Sequence, residues 1–382
     1  MIREHVRLDA ELSIDEVKLL QVALARRVAC HKLGIDSSRG TNVEFWFWRQ
    51  QPAASAAVVR EEVERLIAAR SVVRPNRTTD AALADQGAEA WHERRFGAAF
   101  APNAAPRYSV ERLFSDRHVV HLGAKEGLGF GDAFTQAVER IDRHLRLSFA
   151  ALEVHALRAY SPFLSRPCID DYAQGPSYAE DLFWLSRHGS DRVDTALQNA
   201  PCLKIYIEHR QRTLDKLARF TVKGPSFRFE RKPSNVLERL PCFTQREFVY
   251  LGSPADVCAA RESAMVCAAK ALGQLELSGT VAFANDPFFV SGDERRDADT
   301  PRRMKLELRV NTPGTQKTLS VASFDLHGGH FASAFGFRMQ SEQRAWSGCL
   351  GFGLERLAYC TILKFGPNPS DWPDAIRAEA AC

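Results

Sequence analysis

GPSFRFERKPS at 224–234 and RLPCFTQREFV at 239–249 are two runs of mixed apolar and polar residues joined by a basic, proline-containing loop. In an extended chain alternate residues share a face, so Arg228 and Glu230 point the same way, as do Gln245 and Glu247. Two such strands side by side put Arg and Glu on one floor. An Arg fork suits a phosphate oxygen, and a nearby Glu can hold an amino group or a base edge. The same spacing also fits cross-strand ion pairs on a solvated face. Charge pattern by itself does not choose between the two.

Outward from this pair, further strands are expected at Leu203 to Glu208, Val281 to Ala284, Met304 to Val310, Leu319 to Leu326 and Phe331 to Met339, with the central pair itself at Ser226 to Glu230 and Cys242 to Leu251. Turns such as Asn311-Thr312-Pro313-Gly314 separate them. One long helix follows Ser253-Pro254, with proline at its first position, and ends at Gly273; another runs from Leu354 to Leu363. Glycines from Gly123 to Gly131 precede Asp132, a plausible N-cap, and a helix over 132–147. They lack the P-loop ending and a proper GxGxxG, so the segment reads as a turn. Many strands with few, late helices argue for an α+β plan, an antiparallel sheet flanked by helices.

Before Pro106 the pattern changes. Ser13-Ile14-Asp15-Glu16 is a capping-box pattern ahead of a helix to His31, Val43 to Trp48 is a strand candidate, and Ala56 to Ala69 reads as a second helix. The Ala-, Asn-, Asp- and Pro-rich stretch from Asn76 to Pro106 reads as a linker. The expected division is residues 1–106, an N-terminal helical and strand segment of no assigned role, and residues 107–382, a catalytic domain.

The chain has 382 residues, 51 Lys+Arg against 47 Asp+Glu, and 45 % apolar residues. That is an ordinary globular mixture and excludes a disordered chain, a collagen-like repeat and a disulfide miniprotein. A formal charge of +4 is too weak to argue for nucleic acid. No window of about 18 apolar residues suggests a membrane span, and Met1 to Arg7 carries no apolar signal core. The expected home is the cytoplasm. The nine cysteines form no CxxC and no disulfide framework, so each reads by default as a small buried apolar residue.

A later segment, AWSGCLGFGLER at 345–356, puts Gly351 and Gly353 at a tight strand-to-helix turn and Arg356 in the first helical turn, where anions are favoured. As bare GxGxxR it is a weak signal. In order, however, the FRxE strand, the basic loop, RxxxFxxREFV and GFGLER resemble motifs 2 and 3 of the class II aminoacyl-tRNA synthetases. Together with DPFF at 286–289, MKLEL at 304–308 and SFDLHGGHF at 323–331, they are similar to the amino acid:[carrier protein] ligases, relatives of atypical seryl-tRNA synthetases. The resemblance covers roughly residues 115–366 and is strongest from Gly224 onward.

The resemblance implies a class II synthetase-like antiparallel sheet, with an extra N-terminal segment. It also implies ATP-dependent activation of a small, glycine- or alanine-like amino acid. The amino acid carboxylate attacks the α-phosphorus of ATP and releases pyrophosphate. The carrier's phosphopantetheine thiol then attacks the aminoacyl-adenylate, forming a thioester and releasing AMP. Implied roles are Arg228 at the α-phosphate, Glu230 on the adenine side, Arg239 near the β- and γ-phosphates, Arg356 at the γ-phosphate and Glu307 on magnesium. Arg228 and Arg356 would stabilise charge in the transition state. The implied zinc ligands are Cys202, Glu247 and Cys349, separated by 45 and 102 residues. Two thiolates and a carboxylate are a credible zinc set with an open fourth position, which substrate binding needs. The expected partners are the amino acid, an acyl or peptidyl carrier protein and a second copy of the chain through helix 132–147. A tRNA is not expected, because residues 1–106 show neither a long heptad pattern nor a Lys/Arg run, and no membrane partner is expected.

Three positions depart from the family pattern: Trp346-Ser347-Gly348 replaces His-Thr-Ala, Leu203-Lys204-Ile205-Tyr206 is less aromatic, and Thr244 replaces an Arg. His327 and His330 read as packing or hydrogen-bonding residues. The alternative functions are a seryl-tRNA synthetase-like enzyme and a non-catalytic paralogue that binds an amino acid or a protein.

Overall fold

The computed structural model describes residues 2–8, 32–36, 41–47, 60–61, 64, 90–97, 106–123, 127–172, 182–186, 193–229, 237–284, 304–315, 317–341 and 344–377. The chain forms two compact units, Met1–Ala81 with Asn285–Arg302, and Ala82–Ala284 with Arg303–Cys382. In the first unit, Ile2–Leu8, Lys32–Asp36 and Thr41–Phe47 form a three-stranded antiparallel sheet with Thr41–Phe47 in the middle. The strand expected at Val43 to Trp48 is this central one. The helix expected after Ser13 lies outside the described residues. Of the helix expected at Ala56 to Ala69, Arg60, Glu61 and Glu64 are described, and they are helical.

The second unit is built on eight strands: β1 (Arg95–Phe96), β2 (Ala156–Arg158), β3 (Ala218–Phe227), β4 (Cys242–Gly252), β5 (Gly279–Phe283), β6 (Lys305–Asn311), β7 (Thr318–Gly328) and β8 (Trp346–Gly353). Their order is β1-β5-β6-β7-β8-β4-β3-β2, antiparallel throughout except that β2 runs parallel to β3. The register divides the residues between two faces. Phe248, Leu350, Phe324 and Leu306 lie in one cross-strand row, and Arg246, Phe352, Ala322 and Leu308 in another. This face is buried. It packs on helices α1 (Asp132–Ala150), α3 (Pro254–Gln274) and α5 (Leu354–Phe365) through Phe134, Ile141, Leu145, Met265, Ala268 and Leu357. Phe149 of α1 stacks on Phe248 with ring centroids 3.7 Å apart. Each such side chain contributes about 1.5–3 kcal/mol through burial.

Local signals explain the long helices. Ser253 caps α3, its Oγ accepting from the Asp256 N–H, and Pro254 fills the first position, where a missing N–H costs nothing. α1 is capped by Gly131 instead of Asp132; Asp132 is the first helical residue, where a carboxylate suits the helix dipole. The apolar stripe of Phe134, Ile141 and Leu145 is fully buried within the unit.

Three expected strands come out differently. Leu203–Glu208 is a helix, α2, and His330–Phe335 is a helix, α4, followed by a two-residue strand at Arg338–Met339. Both helices are six residues long and bury apolar pairs at helical spacing, Leu203 with Tyr206 and Phe331 with Phe335. Such short runs satisfy either period. The strand expected at Ser226 to Glu230 instead occupies Ala218–Phe227, so Arg228 lies just beyond its end. No helix among the described residues is long and apolar enough to cross a membrane.

Candidate functional site

The other face of the sheet carries the polar residues. One cross-strand row holds Glu247, Gly351, Ser323 and Glu307; the next holds Val249, Cys349, Asp325 and Lys305. Residues two apart share a face, so Glu247 and Cys349 are diagonal neighbours on adjacent strands. Cys202 comes from outside the sheet, at the N-cap of α2. Its backbone N–H donates to Glu247 Oε2 at 2.5 Å, which ties the α2 start to the floor.

These three side chains converge. Cys202 Sγ, Cys349 Sγ and a Glu247 carboxylate oxygen all lie within 4.8 Å of one another, and all three residues are buried. The two sulfurs are 3.8 Å apart. A disulfide requires about 2.05 Å. A tetrahedral zinc with about 2.3 Å bonds to each sulfur sets them about 3.8 Å apart. The three donors therefore fit zinc, and among the described residues no fourth His, Cys, Asp or Glu joins their group. Gly351 makes room for the carboxylate: a Cβ there would stand 3.1 Å from Glu247 Oε1 and 3.1 Å from Gln245 Nε2.

Burial shapes the protonation of this set. It holds the Glu247 carboxyl up at about 7 against the opposing hydrogen bonds from Cys202 and the nearby Arg228. The Cys202 thiol is pushed well up by burial and by its hydrogen bond with Cys349. For Cys349 the hydrogen bond with Cys202 lowers the value, but burial and the Glu247 and Asp325 carboxylates outweigh it and hold the thiol at about 11. A divalent cation reverses this balance, because its charge favours the thiolates and the carboxylate that it binds.

Around the trio lie residues that sequence reasoning only partly identified. His327 Nε2 is 3.8 Å from Cys349 Sγ, and His327 Nδ1 is 3.3 Å from both the Tyr206 hydroxyl and Ser347 Oγ. His327 thus hydrogen-bonds, as expected, and burial pushes its pKa down to about 3. Tyr206 was legible only as part of an apolar run. Asp325 accepts from Ser323 Oγ at 3.0 Å and pairs with Lys305 at 3.8 Å. Trp346, at the start of β8, is buried instead on the opposite, core face, with Leu350 and Phe352.

Of the residues read as nucleotide contacts, Glu307 shares the same floor and Arg228 lies near Glu247. The Arg228 backbone N–H donates to the Pro241 carbonyl at 2.9 Å, and its guanidinium lies 5.0 Å from the Phe243 ring centroid. Arg356 donates from Nε and Nη2 to the Glu238 carbonyl, at 2.9 and 2.5 Å, and from Nη1 to the Ser320 carbonyl at 2.7 Å. These acceptors are neutral, so they orient the fork while leaving its charge uncompensated by them. Glu307 Oε2 accepts from Arg309 Nε and Nη2 at 2.9 and 2.7 Å. Arg239 is exposed. Glu230 lies outside the described residues.

Two further contacts hold the floor in place. The Thr244 N–H donates to both oxygens of Glu355 at 2.9 Å, linking β4 to the first turn of α5. On the core face, Arg246 makes a two-pronged bond to Asp142 of α1, at 2.6 and 2.9 Å, and donates to Thr221 Oγ1 at 3.2 Å. Arg246 lies between Gln245 and Glu247, so this pair fixes which face β4 turns to the site. Asp142 is 104 residues away from Arg246, and no local pattern marks the pair.

No protein-family model matches the chain. An amino acid–[acyl-carrier-protein] ligase 1 of Bradyrhizobium diazoefficiens is 34 % identical over 188 residues, covering 48 % of this chain and 57 % of that protein. A type-2 serine–tRNA ligase of Methanococcus maripaludis is 31 % identical over 202 residues, covering 49 % and 39 %. The chain thus spans about half the length, or less, of these curated relatives. Among solved structures, M. kandleri SerRS in complex with A. aeolicus tRNASec matches with a TM-score of 0.68 at 17 % identity, over 98 % of this chain and 76 % of that one. Seryl-tRNA synthetase from Pyrococcus horikoshii complexed with ATP matches with a TM-score of 0.56 at 14 % identity, over 68 % of this chain and 59 % of that one. The chain is thus a homologue of the amino acid–[acyl-carrier-protein] ligases and the type-2 serine–tRNA ligases, built on the fold of the class II seryl-tRNA synthetase catalytic core.

Proposed function

We propose that the protein is an ATP-dependent ligase that activates a small, glycine- or alanine-like amino acid as its adenylate and passes it to the phosphopantetheine thiol of a carrier protein. The observation that carries this reading is the convergence of Cys202, Glu247 and Cys349 on the floor that Glu307 shares and that Arg228 lies near. When bound there, zinc supplies a Lewis acid that holds the α-amino group and so rejects molecules lacking one.

Arg228 and Arg356 orient the triphosphate and stabilise charge that develops as the carboxylate oxygen attacks the α-phosphorus. The bond from the α-phosphorus to the bridging oxygen breaks and pyrophosphate leaves. Arg239 and Glu230 contribute to nucleotide binding, and Glu307, bonded here to Arg309, would hold magnesium. The solved seryl-tRNA synthetase complexed with ATP supports a nucleotide on this fold. The carrier thiol then attacks the adenylate carbonyl, and AMP leaves. Burial of the three zinc-ligand side chains keeps bulk water from the amino group.

A second acceptor has direct support. The sequence expectation that tRNA is not a partner is set against relatives named as serine–tRNA ligases, which match almost as closely as the carrier-protein ligase. Both readings share the activation step and differ in the acceptor. The dimer reading changes its surface: the Phe134, Ile141 and Leu145 face of helix 132–147, on which it was expected, is buried within the unit, and the exposed apolar residues are Leu147 near the end of α1, Val154 before β2 and Leu157 of edge strand β2. A sedimentation measurement that finds only monomer at micromolar concentration removes the dimer.

The test supplies ATP, zinc and one labelled small amino acid, with either phosphopantetheinylated carrier protein or tRNA. The reading expects label on the carrier as a base-labile thioester. Label on tRNA alone transfers the chain to the second reading, and no label on either rejects both.

A further inference from the structure

We propose that His327 is a positioning residue for the Cys349 sulfur, donating its Nε2–H to the thiolate while the Tyr206 and Ser347 hydroxyls set its ring. The inference rests on the metal reading of Cys202, Glu247 and Cys349 and adds to it a residue that binds no metal itself. The backbone provides the first observation. β7 and β8 pair regularly through Leu326 with Gly348, then shift, so that Gly328 pairs with Ser347. His327 is the extra residue of this bulge. Bulges redirect a side chain and are favoured beside functional sites.

The second observation is geometric. His327 Nε2 stands 3.8 Å from Cys349 Sγ, within the range of an N–H donor to sulfur. His327 is not a member of the group of ligand atoms that all lie within 4.8 Å of one another. It therefore approaches Cys349 from outside the trio and leaves the fourth metal position open.

The third is hydrogen-bond logic. Nδ1 is 3.3 Å from two hydroxyls, Tyr206 and Ser347. The Tyr206 hydroxyl also hydrogen-bonds the Cys202 and Cys349 sulfurs, so Ser347 supplies the O–H to Nδ1, and a ring nitrogen that accepts carries no hydrogen. The hydrogen then sits on Nε2, the nitrogen that faces sulfur. Packing holds the arrangement: the Tyr206 ring stacks on Phe331 at 4.2 Å, and the His327 ring meets Tyr206 edge-on at 5.5 Å. A thiolate that accepts an N–H bond gives less charge to the metal and is held in one rotamer. Outer partners of this kind tune and orient ligands.

The experiment replaces zinc by cobalt(II) and compares the wild type with His327→Phe, His327→Gln and Ser347→Ala. Cobalt spectra read the sulfur ligands without any catalytic turnover. In His327→Phe the sulfur-to-cobalt charge-transfer band moves to lower energy, because the sulfur electrons lose the N–H that stabilised them, and zinc affinity by chelator competition falls about 10- to 100-fold. Gln places an N–H where Nε2 stood, so His327→Gln restores most of both. Ser347→Ala, which keeps His327, shows a smaller shift in the same direction and reads the inference even where His327→Phe does not fold. A wild-type cobalt spectrum with the band unmoved in His327→Phe, or in Ser347→Ala where the first is unfolded, overturns the role of His327 alone. A wild type that binds neither cobalt nor zinc overturns the metal reading and His327's role with it.

Discussion

Zinc binding should expel a countable number of protons. Burial keeps both thiols protonated at neutral pH, Cys349 with a pKa of about 11 and Cys202 well above the ordinary value, and it holds Glu247 at about 7. Each must lose its proton to bind a metal. Two protons therefore leave at any pH near neutrality, and Glu247 adds the fraction still protonated. The total is about 2.9 at pH 6, about 2.5 at pH 7 and about 2.1 at pH 8. The sign follows: protons compete with the metal, so affinity rises with pH, by roughly two to three decades per unit. Calorimetric zinc titrations in two buffers of different ionisation enthalpy count the protons directly. Glu247→Gln removes the variable part and leaves about two at every pH in this range. Release of less than one proton at pH 7 would mean preformed thiolates and would refute the reasoning from burial.

The buried Asp142–Arg246 pair gives a stability prediction. Asp142→Ala leaves a guanidinium in the core and costs about 3–5 kcal/mol, roughly 6–20 °C in melting midpoint by calorimetry; a change under about 1 kcal/mol would show the pair to be dispensable. Gly351→Val drives a side chain into Glu247 and Gln245, so zinc affinity should fall about 10- to 100-fold by chelator competition while the far-UV spectrum is kept. Unchanged affinity would place the carboxylate outside the metal site. His155, packed edge-on to Phe248 and Tyr250, is held by burial at about 4 against 6.5 for a free side chain. The unfolded chain then binds the extra proton between these values, so stability is complete above about pH 6.5 and falls as pH drops toward 4. Allowing for its partial exposure, the loss is about 1–2 kcal/mol, and His155→Gln should flatten that part of the profile in denaturant melts at pH 7.5 and 5.

The long elements could be read because their signals are sustained. Cys242–Gly252 and Thr318–Gly328 are eleven-residue runs rich in β-branched and aromatic residues, and Ser253-Pro254 marks a helix start through a capping hydroxyl and a fixed φ. The short elements could not be told apart this way. Phe331 to Met339 reads as extended by composition, yet Gly336 adopts φ of 73° and closes a helix over His330–Phe335. Glycine directly after an apolar pair of helical spacing is a C-terminal signal that outranks strand propensity. The ligand trio was legible in type and order, since thiol, carboxyl and thiol fall in segments with recognisable neighbours. What surrounds it was not. The pairing of His327 with Ser347 and Cys349 depends on a bulge, and that of Arg246 with Asp142 on helix docking; neither leaves a trace in local spacing.

The most direct test of the account is exchange of labelled pyrophosphate into ATP, driven in turn by each of the twenty amino acids, with zinc present and after chelation. The account predicts exchange with a small amino acid, abolished by the chelator and restored by zinc. Protein that carries stoichiometric zinc yet supports no exchange with any amino acid would contradict it.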